Sequence, residues 1–229
     1  MKSKTFVIGD IHGGYKALKQ CLERSNFDYY IDTLICLGDV ADGWLEIAES
    51  FEELFKIKNL IYVRGNHDQW LKDWLAKGKT PNIWTMQGGQ NTILSYKKHL
   101  ELKEKHKKFL KNTPFYYLDK ENRLFVHGGI DLTLPLESQD KMTLMWDRNI
   151  WNDRHSRQTI KPYKEIYVGH TSIYGYSKIP LPHTGVWYMD TGAGWEGVLS
   201  IMDIETKKFW QSDKVSDLYL NELSRLNHE

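Results

Sequence analysis

Five short polar stretches, each beside glycine and each following an apolar run, constrain this chain more than any other feature. Thr5-Phe6-Val7-Ile8 runs into Gly9-Asp10-Ile11-His12-Gly13, and Thr33-Leu34-Ile35-Cys36-Leu37 into Gly38-Asp39-Val40-Ala41-Asp42-Gly43. Leu60-Ile61-Tyr62-Val63 precedes Gly65-Asn66-His67-Asp68, Arg123-Leu124-Phe125-Val126 precedes His127-Gly128-Gly129, and Ile166-Tyr167-Val168 precedes Gly169-His170-Thr171. Short β-branched runs bounded by glycine read as strands. Their carboxyl ends would then carry Asp, Asn and His side chains, at the edge where open α/β sheets bind ligands. Oxygen and imidazole donors suit hard or borderline divalent cations, and glycine lets the backbone turn tightly against a ligand. A metal site built from strand-end loops is the expectation.

Helical spacing fills the gaps in the first half: residues 15–24, Trp44 to Ile57, and Gln69 to Ala76. Strand and helix therefore alternate over the first 76 residues, as in a parallel sheet covered by helices. Residues 78–98 lose that rhythm, and Gly78, Pro81, Gly88 and Gly89 read there as loops. Lys97 to Lys111 is a basic helical stretch, read as a solvated face or as a lid or acidic-partner surface, and His99 and His106 have no ligand-like context in it. Phe115 to Val126 reads as a hairpin and Met142 to Trp151 as a short helix. Val198 to Ile204 with Lys207 to Trp210 reads as a second hairpin, and 215–226 as a closing helix. The second half is expected to be strand-rich and largely antiparallel. The fold class expected is α/β, with two mixed β-sheets packed as a central sandwich flanked by helices. One domain over 1–229 is expected, with a cap or insertion at about 78–112.

A chain of 229 residues can bury a sizeable core. Its formal charge of +1 gives no global electrostatic footprint for nucleic acid. Cys21 and Cys36 fall on a helical pattern and in a strand, and read as buried thiols in a reducing compartment. Met1-Lys2-Ser3-Lys4 runs straight into a strand with no leader pattern, and no apolar run is long enough for a membrane span. A cytoplasmic protein with no membrane partner is the expectation. Most of the nine tryptophans are expected in the core or in cleft walls.

Taken together and in order, GDIHG, GDVADG, GNHD, VHGG and VGHT resemble the GDxHG, GDxxDRG, GNHE, HGG and GHT series of the calcineurin-like metallophosphoesterase superfamily, specifically its bacterial and phage-type phosphoprotein phosphatases. The resemblance implies an αββα sandwich and hydrolysis of phosphomonoesters by a metal-bridging hydroxide, with no covalent Ser or Cys intermediate. It implies two divalent ions, manganese first, with iron or zinc also suited. Asp10 and His12 would hold one ion and Asn66, His127 and His170 the other, with Asp39 bridging. His67 would protonate the leaving oxygen, a role suited to an imidazole. Asp42 would accept a hydrogen bond from His67, or cap the following helix, or do both.

Two positions depart from the pattern. Gly43 and Trp44 follow Asp42 where the family has an arginine that clamps phosphate, and Asp68 replaces the glutamate of GNHE. Arg148, in Trp146-Asp147-Arg148, resembles a Trp-x-Arg element that could supply the lost cation, with a surface ion pair to Asp147 or a neighbour as the alternative. The resemblance makes Arg64 a structural anchor for metal-site carboxylates and Asp190 a support for the last strand. The first substrate expected is a phosphorylated protein or peptide carrying phosphoserine or phosphothreonine. The alternative is a nucleotide substrate, a dinucleoside tetraphosphate or a nucleic-acid end, with Trp44, Trp84 or Trp146 stacking on a base. A non-catalytic binding module on the same fold is the third reading.

Overall fold

The apolar runs are buried on both faces, so they read as continuous rather than alternating stretches. In the computed structural model, which describes residues 3–220, β1 (Thr5–Ile8) is followed by α1 (Tyr15–Arg24), β2 (Thr33–Cys36) by α2 (Ile47–Leu54), and β3 (Asn59–Tyr62) by α3 (Asn66–Lys77). A helical segment comes next: α4 (Asn82–Trp84), a π-type turn over Thr85–Gly89, α5 (Gln90–Lys98) and α6 (Lys103–Asn112). The remainder is β4 (Tyr116–Leu118), β5 (Arg123–Val126), α7 (Lys141–Trp146), α8 (Asn149–Asn152), β6 (Glu165–Val168), β7 (Leu181–His183), β8 (Val186–Tyr188), β9 (Ser200–Asp203), β10 (Phe209–Gln211) and α9 (Val215–Leu218).

Two mixed five-stranded sheets result, ordered β10-β9-β1-β2-β3 and β4-β5-β6-β8-β7. Each has three parallel strands, β1, β2 and β3 in one and β5, β6 and β8 in the other, with antiparallel strands outside them. Strand period decides which side chain enters which layer. Val7, Ile35, Phe125, Tyr167 and Met202 meet between the sheets. Their neighbours Phe6, Ile8, Leu34 and Cys36 turn outward onto the helices, as Leu124, Val126, Ile166 and Val168 do on the far side. All six parallel strands therefore end on the same edge of the sandwich, and five of them lead directly into one of the five polar stretches.

The expected sandwich is present, and several local expectations change. The second sheet is not largely antiparallel, because β5, β6 and β8 pair in parallel, β5 to β6 across short α7 and α8 and β6 to β8 across a connection that includes β7. Residues 82–98 are helical rather than loop. Their glycines produce a kink, with Gly88 at φ 95°, instead of ending the segment. The basic stretch is broken at His99 into α5 and α6, and α3 begins at Asn66 rather than at Gln69. Short α7 and α8 replace the single helix expected over Met142 to Trp151. In the closing helix expected over 215–226, Val215–Leu218 is helical, and positions beyond 220 lie outside the described residues. Cys21 and Cys36 are buried and unbridged, and burial pushes the Cys21 thiol up to about 12.

Candidate metal centre and acid–base dyad

His12, Asp39, Asp42 and His170 all have left-handed backbone, with φ of 49°, 49°, 67° and 65°. For residues with a side chain this conformation costs of order 1–3 kcal/mol each, so it persists only where surrounding contacts fix it. Here the loops are tied to one another. Ile11 and His12 donate their N–H groups to the Asp39 carbonyl at 3.0 and 2.9 Å, Gly13 donates to Val40, and Trp44 to His12. The buried Asp68 carboxylate collects five donors: Asp39, Gly65 and Tyr62 on Oδ2, and Val40 and Ala41 on Oδ1, at 2.9–3.2 Å. Every group around Asp68 donates, so it acts as an ionised acceptor, although burial and the nearby Asp39 charge raise its pKa.

Asp39 sits at the centre of these loops. Its Oδ1 accepts the His67 N–H at 2.9 Å, at the amino end of α3 where the helix dipole favours an anion. Its Oδ2 lies 3.1 Å from His127 Nε2 and 3.9 Å from His12 Nε2. His12 Nε2 is also 3.8 Å from Asp10 Oδ2, and His127 Nε2 is 3.0 Å from Asn66 Oδ1. His170 joins His127 and Asp39 in one group of mutually close donor atoms. The second sheet contributes His127 and His170, and the first contributes the other four. The structure thus brings Asp10, His12, Asp39, Asn66, His127 and His170 together.

The three imidazoles are oriented in one manner. His12 Nδ1 is 2.9 Å from the Ala41 carbonyl, His127 Nδ1 2.8 Å from that of Leu37, and His170 Nε2 3.1 Å from that of Trp146. A carbonyl only accepts, so each of these nitrogens carries the hydrogen and the opposite nitrogen faces the cluster. Backbone acceptors of this kind commonly fix the tautomer of a metal-ligating histidine. The charges of these side chains act strongly on one another. Burial and the neighbouring Asp190 raise Asp10 well above the carboxylate range. Burial also opposes ionisation of Asp39, but His127, His67 and His12 outweigh it and hold Asp39 low. Burial opposes a charged His127, yet Asp39 and Asp10 lift it to about 10, while burial, His127 and Arg148 press His170 down to about 3. Buried oxygen and nitrogen donors of this kind fit a pair of divalent ions.

His67 stands beside this cluster. Its Nδ1 lies 2.5 Å from Asp42 Oδ2, and both side chains are buried. His67 is close enough to His12 and Asp39 to complete a three-donor group. With Nδ1 committed to Asp42, Nε2 is the nitrogen that can face the centre. Asp42 does not cap α2, which starts at Ile47 after Glu46. Its other contacts were not foreseen from the sequence: the Trp84 indole N–H is 2.9 Å from both Asp42 oxygens, and the Thr92 hydroxyl donates to Oδ1 at 2.6 Å. Both come from the segment that lacked readable periodicity.

The departures from the motif pattern also have structural answers. Gly43 has φ 87°, and a Cβ there would lie 2.7 Å from the His12 carbonyl, so the turn admits no larger residue without a shift. Arg148 is exposed, its charge acts on His170, and it makes no ion pair among the described residues; Asp147 bonds Asn149 instead. Arg64 bonds no carboxylate among the described residues. It donates to the carbonyls of Leu110 and Thr113 and to the side chains of Thr113 and Gln69, anchoring the approach to β4. Asp190 accepts the Gly192 N–H at 2.9 Å and so forms the turn after β8. Trp44 and Trp84 are buried and cannot stack on a base. Half-buried Trp146 contacts His170 and Trp70, and Trp70 contacts His67.

Residues 3–196 match the family model described as calcineurin-like phosphoesterase. Over 206 residues the chain is 26% identical to serine/threonine-protein phosphatase 1 of Salmonella typhimurium, covering 87% of this chain and 91% of that protein. It is 44% identical over 78 residues to the symmetrical bis(5'-nucleosyl)-tetraphosphatase of Proteus mirabilis, covering 32% of this chain and 27% of that protein. The solved metallophosphoesterase from Sphaerobacter thermophilus aligns with a TM-score of 0.61 at 17% identity, over 93% of this chain and 89% of that one, a likeness of fold. Among the described residues no helix is long and apolar enough to cross a membrane.

Proposed function

The chain belongs to the calcineurin-like phosphoesterase family and is a phosphoric ester hydrolase, and from that premise we propose that it removes phosphate from phosphoserine or phosphothreonine in proteins. The observation that carries this reading is the His67–Asp42 pair, 2.5 Å apart, beside the donor cluster around Asp39. Asp10 and His12 would hold one divalent ion and Asn66, His127 and His170 the second, with Asp39 beside both donor sets. Manganese is the ion proposed, with iron or zinc suited to the same donors. Ions bound there supply water of lowered pKa and take up phosphoryl charge. His67 Nε2 gives its proton to the leaving oxygen, and Asp42 keeps the ring oriented. Arg148 takes part of the phosphate contact that glycine at 43 cannot make. We read 1–229 as one domain acting in the cytoplasm, with 78–112 as an insertion lying over the dyad.

The protein phosphatase relative aligns along nearly its whole length, whereas the tetraphosphatase of Proteus mirabilis aligns over 78 residues and that of Coxiella burnetii over 127. That difference favours a protein substrate. A nucleotide substrate is the second reading, favoured by the indoles of Trp70 and Trp146 beside His67 and His170. The test is phosphate release by metal-stripped protein reconstituted with manganese. The panel is an aryl phosphate, a phosphothreonine peptide, diadenosine tetraphosphate and a 3′-phosphorylated oligonucleotide. Highest kcat/KM on the peptide is expected; highest kcat/KM on either nucleotide substrate refutes the protein phosphatase reading. His67→Ala is expected to lower kcat by about 10²–10⁴-fold, the usual share of a general acid.

A further inference from the structure

Asp42 has no exposed surface, and its carboxylate is closed in by groups that all donate. Trp84 Nε1 is 2.9 Å from each oxygen, Thr92 Oγ1 is 2.6 Å from Oδ1, and His67 Nδ1 completes the set on Oδ2. Thr92 is fixed in turn, because its hydroxyl also accepts the Asp42 backbone N–H at 3.0 Å. The indole straddles the two oxygens and so fixes the carboxylate plane. Trp84 and Thr92 are themselves fully buried.

The backbone carrying Trp84 is shaped around this contact. Between α4 and α5 the helix breaks, with Gln87 at φ −102° and Gly88 at φ 95°. The next residue, Gly89, lies directly against the indole, where a Cβ would come within 2.5 Å of the ring. The pair of glycines thus lets one helical segment double back over its own tryptophan and aim the N–H at Asp42. Trp74 and Tyr96 pack around the same spot. A tryptophan needed only to fill volume would require neither the kink nor a carboxylate partner.

We propose that Trp84 and Thr92 are positioning residues for the reaction: they clamp the Asp42 carboxylate so that His67 is held in line with the leaving oxygen. The proposal rests on His67 acting as the proton donor. The segment 82–92 is therefore part of the proton-delivery apparatus, acting through Asp42 and not touching substrate. Losing either donor lets the carboxylate rotate about its Cβ–Cγ bond and turns the ring, and misplacement of that kind lowers the rate of proton delivery. The effect is selective. A poor leaving group needs its proton in the transition state, and a good one departs as the anion.

The experiment compares phenyl phosphate with 2,4-dinitrophenyl phosphate as substrates of the manganese-reconstituted full chain, in wild type, Trp84→Phe, Thr92→Val and His67→Ala. Trp84→Phe keeps an aromatic ring and removes only the N–H donor and one ring's volume. For Trp84→Phe and Thr92→Val, kcat on phenyl phosphate is expected to fall roughly ten- to a hundredfold, and on the dinitrophenyl ester by less than about twofold. KM and manganese content stay at wild-type values. His67→Ala is expected to show the same leaving-group selectivity with a larger amplitude. A selective loss in His67→Ala with equal or no loss on the two esters in the other variants overturns the clamp and leaves the proton donor in place. No selectivity in His67→Ala overturns both. If Trp84→Phe does not fold, Thr92→Val decides alone, since it is near-isosteric and leaves the indole packing intact.

Discussion

Asp68→Asn is the perturbation that best probes how the loops of the site are held. The two oxygens of Asp68 accept three and two hydrogen bonds, from Asp39, Gly65 and Tyr62 on one and from Val40 and Ala41 on the other. Asparagine keeps one acceptor oxygen and replaces the second with an NH2 group. In its better orientation it retains the three donors and faces Val40 and Ala41 with another donor. A buried donor left without an acceptor costs about 1–3 kcal/mol, so two of them give roughly 2–6 kcal/mol before the lost charge assistance is counted. For a chain of this size that corresponds to a fall in Tm of about 4–24 °C. Equilibrium urea unfolding and thermal melts of the metal-free protein measure it. Tyr62→Phe, which removes a single donor and leaves the carboxylate intact, is expected to cost about 1 kcal/mol. If Asp68→Asn stays within about 1 kcal/mol of wild type, the carboxylate does not hold the loops.

Metal binding is expected to release at least about one proton near pH 7, because His127 is held up at about 10 in the metal-free protein and must give up its Nε2 proton to become a ligand. Calorimetry in buffers of different ionisation enthalpy reads this, and zero net release contradicts it. The same shift gives a stability trend for the metal-free protein. The raised pKa makes protonated His127 a stabilising feature that is fully present below about pH 6.5 and is lost as pH rises toward 10. Urea midpoints across that range, compared with those of His127→Gln, should reveal it. Gly43→Ala places a Cβ against His12 in a left-handed turn and is expected to lower stability by about 1–3 kcal/mol, together with the manganese content. Arg148→Ala is expected to raise KM severalfold with little change in kcat; an unchanged KM removes Arg148 from phosphate binding.

The residues whose chemistry was legible in the sequence are those whose position depends on one strand and one turn. Asp10, Asp39, Asn66, His127 and His170 each follow an apolar run within a few residues, so the local pattern and the parallel edge together locate them. Trp84 and Thr92 carry no such signal. Their partner Asp42 is 42 and 50 residues away, and the intervening kink at Gly88 makes the segment read as loop. The parallel pairing of β5, β6 and β8 was hidden for a related reason: strands of three or four residues joined by short helices or by turns do not show which neighbours they choose. Arg64 misleads because a buried guanidinium invites a carboxylate partner, whereas two carbonyls from the end of α6 satisfy it here. Asp68 reads from the sequence as a mild substitution, yet its shorter side chain collects donors from β3 and from the loops that follow β2 and β3.

The six donors of the site, Asp39 included, come from opposite halves of the sandwich, four from the sheet that begins the chain and two from the sheet that follows. An ion bound there rivets two slabs together along a seam. Its binding free energy opposes any opening that parts the slabs and does nothing for fraying within either one. At a free ion concentration 100 times its dissociation constant, such a rivet adds about 2.7 kcal/mol against that opening. Protection of the slowly exchanging amides in β1 and β6 would then rise together on loading, although the two strands share no hydrogen bond, and the outer strand β10 would exchange as before.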